Sequence, residues 1–462
     1  MIYLAAKYDV EGILPMGIEN MWQSLWNEKI IGIDTETTGL CPHKDKIIML
    51  QLGTEKDQFV IDARTENIPY LLDLIESNNI KKVGHNLKFD YKMFLGNYST
   101  LIQNIYDTMI SECVLECGKE GIRFRLDKIC KKYKINLSIN KEKGSLRTQF
   151  TNWGSKPFTK EQIIYGSQDV EACLRIRHCQ LPLIEKYNLE KCVSFENSFI
   201  PVLGDLEYNG LLINKDKWKT LTEKNKNLLD DSKKELNNFV FSNSLLKKYI
   251  STQVDMFDNK KRCIVEWSSP KQVINVLNSL KIPTIVKDRK TGKQKSSCEA
   301  GHIKRFEDKF DFIPIYLKYK ELEKLISTYG DSFLDLVNPT TKRIHSNFWQ
   351  IVSTGRLSSR MPNIQNIPND EETRSCFIAN SDSKLIICDY TTQEPRLIAD
   401  KSQDPALLKF FKEDDGDIHS FVATKMYSII NGKETIVTKT NENSHLRSHG
   451  KTIGLGIDYG KT

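Results

Sequence analysis

Between residues 30 and 61 the apolar and polar positions fall into three short blocks. Ile30-Ile31-Gly32-Ile33 is apolar and turns polar at Asp34-Thr35-Glu36, Thr37-Thr38-Gly39-Leu40 follows, and Ile47 to Leu52 and Phe59 to Ile61 are apolar again. Short isoleucine-rich runs bounded by turn formers predict three successive strands. Val83-Gly84-His85-Asn86-Leu87-Lys88-Phe89-Asp90 predicts a further short strand leading into a helix. Thr159-Lys160-Glu161-Gln162 has the form of a capping box and starts a predicted helix carrying Tyr165 and Asp169.

From Phe195 the pattern lengthens into lysine-rich amphipathic segments. Trp218, Leu221, Leu228, Leu229, Leu236 and Phe239 fall near one helical face, with Asn214 as the candidate cap. Ile315, Tyr319, Leu322, Ile326, Tyr329, Phe333 and Leu336 alternate steps of four and three, which predicts a helix packed in a core or a helix pair. The basic stretch Lys287 to Lys295 predicts a hairpin or loop suited to phosphate contact. Ser353 to Ser359 and Pro362 to Pro368 are rich in turn formers and amides, groups that suit minor-groove contact. Lys384 to Tyr390 predicts a buried strand ending in Asp389, with a helix through Ala399 and another segment from Asp417.

At 462 residues the chain predicts about three domains and is too long for a single small binding module. No apolar run approaches the ~18 residues of a membrane helix, and the first residues lack the order of a secretory signal. The expected location is cytoplasmic, with no membrane partner. Eleven cysteines without a CxxC pair predict buried thiols rather than a disulfide scaffold. A net charge of +7 permits a polyanionic partner without demonstrating one.

Asp34 and Glu36 stand two apart, so on a strand they project from one face and can share a divalent ion. As an isolated pair they read equally as two solvated surface acids. Asp90 falls in an otherwise apolar first helical turn, where an acid is costly unless paired or metal-bound. Tyr165 and Asp169 are four apart and face the same way. Each residue has an ordinary structural reading, but the whole order Asp-x-Glu, Asn-x-x-x-Asp, Tyr-x-x-x-Asp is improbable by accident.

That order resembles the proofreading 3′–5′ exonucleases of the ribonuclease-H-like DEDD superfamily, in the subtype with tyrosine in the third motif, over roughly residues 20 to 185. The resemblance implies metal binding by Asp34, Glu36, Asp90 and Asp169, and orientation of the attacking water by Tyr165. It also implies that Leu40 wedges against the terminal base and that Asn86 contacts the substrate strand. In such enzymes two divalent ions activate a water and stabilise the departing 3′ oxygen. The expected cofactor is a pair of Mg2+ ions, with Mn2+ as the alternative.

The later motifs are similar to those of the family A DNA polymerases. They are Thr354 to Ser359, Pro362 to Pro368, Asp389 to Arg396, Asp417 to His419, and Arg447 to Lys451 continuing to Tyr459-Gly460. The resemblance implies that Asp389 binds the catalytic ions, Glu394 screens the sugar of the incoming nucleotide, and His419, Arg447 and Lys451 hold its triphosphate. Tyr459 would lie near the templating base, and Arg356, Gln365 and Asn366 would contact the primer–template. The implied fold is multidomain α/β: a ribonuclease-H-like exonuclease domain over 1–190, a helical thumb over 191–342, and a partial palm with the start of the fingers over 343–462.

Gln393 and Pro395 depart from the usual aliphatic residues and suggest a phage-like branch, while Leu455 and Gly454 put base stacking and sugar discrimination in doubt. No separate 5′ nuclease domain fits before Asp34, and the later palm motif with the second catalytic carboxylate does not occur before Thr462. The expectation is a complete exonuclease site joined to a partial polymerase site. Expected partners are primer–template DNA, single-stranded 3′ ends and deoxynucleoside triphosphates. The alternatives are a stand-alone exonuclease with a duplex-binding platform, or half of a split enzyme needing a separate C-terminal polymerase chain. A non-catalytic DNA-binding remnant is disfavoured by the full carboxylate set.

Overall fold

Seven strands form one sheet: β1 Ile2–Ala5, β2 Leu14–Pro15, β3 Ile30–Thr37, β4 Ile47–Gly53, β5 Gln58–Asp62, β6 Lys81–Gly84 and β7 Ile105–Asp107. The computed structural model describes all residues except 120, 137–148, 252–260, 288–291, 415, 461 and 462. The strand order is β2-β1-β5-β4-β3-β6-β7, with β4 antiparallel to both neighbours and the remaining pairs parallel. β4 and β5 are buried along their whole length, which explains why they read as unbroken apolar runs.

The helix Lys160–Lys186 lies against the face of β3 that carries Gly32 and Asp34. A Cβ on Gly32 would sit 2.5 Å from Val170 Cγ1, so only glycine allows this approach. The helix begins where the capping box places it. Thr159 Oγ1 accepts the Gln162 N–H at 3.3 Å and Gln162 Oε1 accepts the Thr159 N–H at 3.0 Å. The helix Leu87–Tyr98 follows β6 and contributes Leu87, Tyr91, Met93 and Phe94 to the main core with Ile31, Ile33, Leu50 and Leu52.

The amphipathic middle folds as its periodicity dictates. Asn214 accepts the Lys217 N–H at 3.0 Å and caps the helix Lys215–Ser242, which buries Trp218 and Leu236. The helix Phe312–Tyr329 packs beside it through Phe312, Ile313, Tyr316 and Tyr319. The stripe was expected to run unbroken to Leu336, but the chain turns extended at Gly330 (ψ −151°), a separate turn spans Asp331–Leu334, and Leu336 is exposed. A side-chain period alone cannot reveal a backbone stop at a glycine. In the basic stretch Ile285–Lys287 pairs with Gln294–Ser296, and the Asp288 to Thr291 part lies outside the described residues.

Two compact units result, Met1–Asp382 and Ser383–Thr462, so residues 343–382 belong with the first. Leu211–Ile213 pairs there with Arg343–Ile344 and Phe377–Ile378. The second unit contains the helices Gln393–Ser402, Ile418–Asn431 and Arg447–Asp458. The expected buried strand at Lys384 to Tyr390 is a correction. The segment has no regular structure, and Ile386 and Ile387 are 86% and 80% exposed. A strand needs a neighbour for its backbone groups, and none of the described residues pairs with this one. Among the described residues no helix is long and apolar enough to cross a membrane.

Candidate active site

β3 runs through the sheet with one side covered by the helix Lys160–Lys186, and its alternation places Asp34 and Glu36 on that side. Asp169 stands one turn beyond Tyr165 on the covering helix and is 8% exposed. One ligand atom from each of Asp34, Glu36 and Asp169 falls within 4.8 Å of the others. These three residues come from two elements more than a hundred positions apart, brought together by the glycine contact beneath them.

Asp90, the fourth acid of the sequence pattern, sits beside this group rather than within it. Its carboxylate accepts a hydrogen bond from Thr35 Oγ1 at 2.5 Å and is 2% exposed. Burial, and then the charge of Asp34, push its carboxyl well above the usual range. The Thr35 hydrogen bond acts in the opposite direction. Thr35 was not singled out from the sequence, although it is the middle residue of the Asp-x-Glu pair.

Tyr165 is 8% exposed, with its ring 6.2 Å from that of Phe150. Leu40 is 78% exposed on the turn after β3. That turn is fastened by the Cys41 N–H on Asp45 Oδ2 at 2.7 Å and by the Thr37 hydroxyl on the Gly39 carbonyl at 2.7 Å. Asn86 adopts a left-handed conformation (φ 64°) just before the helix Leu87–Tyr98. Its N–H and that of Leu87 donate to Asp107 at 3.1 and 2.6 Å, while the Met109 and Ile110 N–H groups donate to the same carboxylate at 2.8 and 3.2 Å. Asp107 is fully buried and was also missed; only its place before an apolar run hinted at a cap.

In Met1–Asp382, Arg356 in its turn and Gln365 and Asn366 on the short helix Ile364–Asn366 are exposed. Gln365 Nε2 donates to the Leu357 carbonyl at 3.0 Å, which ties the second element to the first.

The second unit gathers most of the remaining sequence-derived residues. Tyr459 donates its phenol hydrogen to Glu394 Oε1 at 2.7 Å. His419 is in the first turn of Ile418–Asn431, and a Cβ on Gly450 would meet its carbonyl oxygen at 2.4 Å, so the helix Arg447–Asp458 crosses at backbone contact. Arg447 pairs with Asp417 through two nitrogens, with Nη2 to Oδ1 at 3.0 Å. Burial opposes ionisation of Asp417, but the Arg447 and Ser420 hydrogen bonds outweigh it and hold its carboxyl at about 2. Lys451 and Asp389 are exposed. Among the described residues, Asp389 belongs to no group of three or more histidine, cysteine or acidic ligands.

Residues 16–183 match the 3′–5′ exonuclease family and residues 238–462 match DNA polymerase family A. The DNA polymerase I of Borreliella burgdorferi is 29% identical over 462 aligned residues, covering 96% of this chain and 46% of the relative. That of Aquifex aeolicus is 27% identical, covering 96% of this chain and 71% of the relative. The chain spans about half the length of the first of these relatives. A solved structure, the POL domain of Pol1 from M. smegmatis in complex with DNA primer-template and dNTP, superposes with a TM-score of 0.72 at 19% identity, covering 99% of this chain and 71% of the other. With both matches in the order the motifs required, the chain belongs to the family A DNA polymerases that carry a 3′–5′ exonuclease domain.

Proposed function

We propose that the Asp34, Glu36 and Asp169 cluster, with Asp90 beside it, removes nucleotides from DNA 3′ ends. The observation that carries this reading is the convergence of three carboxylate ligand atoms within 4.8 Å. Their donor set is all oxygen, which suits a hard divalent cation such as Mg2+, with Mn2+ as a substitute. Asp34, Glu36, Asp90 and Asp169 would hold two such ions. When bound, these would supply an activated water and stabilise the departing 3′ oxygen.

The chain's own side chains do the rest. Tyr165, set one turn from Asp169, orients the attacking water through its hydroxyl. Leu40 projects from a fastened turn and separates the terminal base from its neighbour. Asn86, at the helix entrance, touches the substrate strand.

A second reading, extension of a primer, rests on the Glu394, His419, Arg447, Lys451 and Tyr459 group in the second unit, with Arg356, Gln365 and Asn366 as duplex contacts. Nucleotidyl transfer at Asp389 needs another carboxylate beside it to hold two ions. Among the described residues Asp389 joins no group of three such ligands.

The test is Mg2+-dependent degradation of a 5′-labelled primer–template, run alongside Asp34→Ala with Glu36→Ala and with a parallel lane containing nucleotides. Stepwise shortening lost in the double variant supports the exonuclease. Shortening that persists would sink the assignment of these carboxylates. Extension by the chain alone would show that Asp389 needs no added carboxylate.

A further inference from the structure

Gln51 is fully buried on β4, and neither its amide nitrogen nor its amide oxygen has a hydrogen-bond partner. Burying an amide in this way is destabilising, and buried side-chain amides are ordinarily satisfied. Its position is therefore informative. In the β3–β4 ladder Gln51 is the direct register partner of Asp34. Directly opposed residues on antiparallel strands have Cβ atoms about 4.5–5.5 Å apart, so a glutamine amide reaches an aspartate carboxylate across that gap.

The other side of the amide is closed by the catalytic helix. A Cβ on Gly166 would lie 2.6 Å from Gln51 Nε2, so the helix backbone presses on the amide between Tyr165 and Asp169. Water is excluded, and the acidic group is the polar neighbour that the strand register supplies. A second buried amide provides a contrast. Gln58 has an unpartnered Oε1, but its Nε2 donates to the Thr54 carbonyl at 2.6 Å and its register partner is Gly53.

We propose that Gln51 is a positioning residue of the acidic site, its amide nitrogen donating to the Asp34 carboxylate and fixing the orientation in which Asp34 binds a divalent ion. This rests on the metal-binding reading of Asp34, Glu36 and Asp169. The amide is held against the helix, and the Asp34 carboxylate opposite it is the acceptor within reach when Asp34 holds an ion. Removing the amide should thus relieve an unsatisfied group in the ion-free protein while weakening ion binding.

The experiment uses the full chain, with Mn2+ as the probe by calorimetry and thermal unfolding in chelator as the second readout. Gln51→Met keeps the length of the side chain without its polar atoms, and Gln51→Leu serves if the methionine variant misfolds. The expected result is a Mn2+ dissociation constant raised about 10–100-fold, with an unfolding midpoint in chelator equal to or above that of the unaltered protein. Gln58→Met should leave Mn2+ affinity unchanged. Affinity within about twofold of the unaltered protein, a lowered midpoint in chelator, or an equal loss in Gln58→Met would overturn the role of Gln51. Failure of the unaltered protein to bind Mn2+ would instead overturn the metal reading, and this inference with it.

Discussion

Thr35 Oγ1 donates to the Asp90 carboxylate at 2.5 Å, joining the middle of β3 to the first turn of the helix after β6. Asp34 and Thr35 are adjacent and alternate across the strand. One strand therefore presents an acid to the covering helix and, through the next residue, braces a second acid that feels the charge of the first. The spacing of Asp34, Glu36 and Asp90 along the chain becomes a spacing in three dimensions through this hydroxyl.

Thr35→Val preserves the β-branched shape and removes the donor. Exonuclease activity on a single-stranded 3′ end should fall about 10–100-fold, the range typical of losing a hydrogen bond to a ligating carboxylate, while Thr35→Ser retains most of it. Rates with purified variants at saturating Mg2+ and matched substrate check this. Equal rates for the valine and unaltered proteins would mean that the hydroxyl only fills space.

Leu40 is 78% exposed, so its removal should cost less than about 0.5 kcal/mol of stability. Its effect should appear in substrate choice. Leu40→Ala is expected to slow digestion of a fully paired 3′ end more than that of a mismatched or single-stranded one, because a frayed end needs no wedge. Rates on these three ends, taken with a thermal unfolding curve, decide it. A uniform slowing would point to a general loss of DNA contact.

The Asp417–Arg447 pair gives the second unit a pH signature. The folded carboxyl at about 2 lies below its unfolded value near 3.9, so its stabilisation is present above pH ~4 and is lost as pH falls towards 2. Asp417→Asn should abolish that part of the acid dependence and cost about 0.5–1 kcal/mol at neutral pH, since the pair is partly open to solvent. Chemical denaturation from pH 2 to 7 measures both effects. Because Arg447 already has a carboxylate partner, a triphosphate held by this guanidinium, as proposed, would compete with Asp417. The asparagine variant should therefore bind deoxynucleoside triphosphates more tightly, a change visible by equilibrium titration.

The exonuclease half was legible because its strands and cap are local. Ile30 to Glu36 had to be a strand and Thr159 had to start a helix, and alternation alone set Asp34 and Glu36 on one side. What was not legible depended on contacts between distant elements. Thr35 and Gln51 gain meaning only once Asp90 and Asp34 are placed beside them, and Asp107 only once it receives four N–H groups. The strand expected over Lys384 to Tyr390 failed for the complementary reason. Its apolar character specifies a strand, but a strand also needs a neighbour, and sequence cannot say whether one is at hand.

The turn bearing Leu40 is tied to the rest of the first unit by two imidazoles. The rings of His43 and His345 lie 4.7 Å apart, and His43 also packs 4.2 Å from the Tyr208 ring. Their partners fix the neutral tautomers. His43 Nε2 donates to the Tyr208 carbonyl at 3.0 Å, while His345 Nδ1 donates to the Glu207 carbonyl at 2.8 Å and its Nε2 accepts from the Thr341 hydroxyl at 2.7 Å. Burial lowers both histidines; His345 and Lys92 add to this at His43, and Arg343 and Lys92 at His345. Folded values below the unfolded ~6.5 mean that stability is intact above that pH and falls as acid protonates the unfolded chain first. Each histidine contributes a slope of at most about 1.4 kcal/mol per pH unit between its two values. His345→Gln, which keeps an amide donor and acceptor without a titrating ring, should flatten the decline in stability from pH 6.5 to 5. Urea unfolding across that range tests this, and an unchanged slope in the glutamine variant would place the acid sensitivity elsewhere. Since His43 lies three residues from Leu40, the same acidification should sharpen the preference for mismatched over paired ends in the unaltered protein, and do so less in the variant.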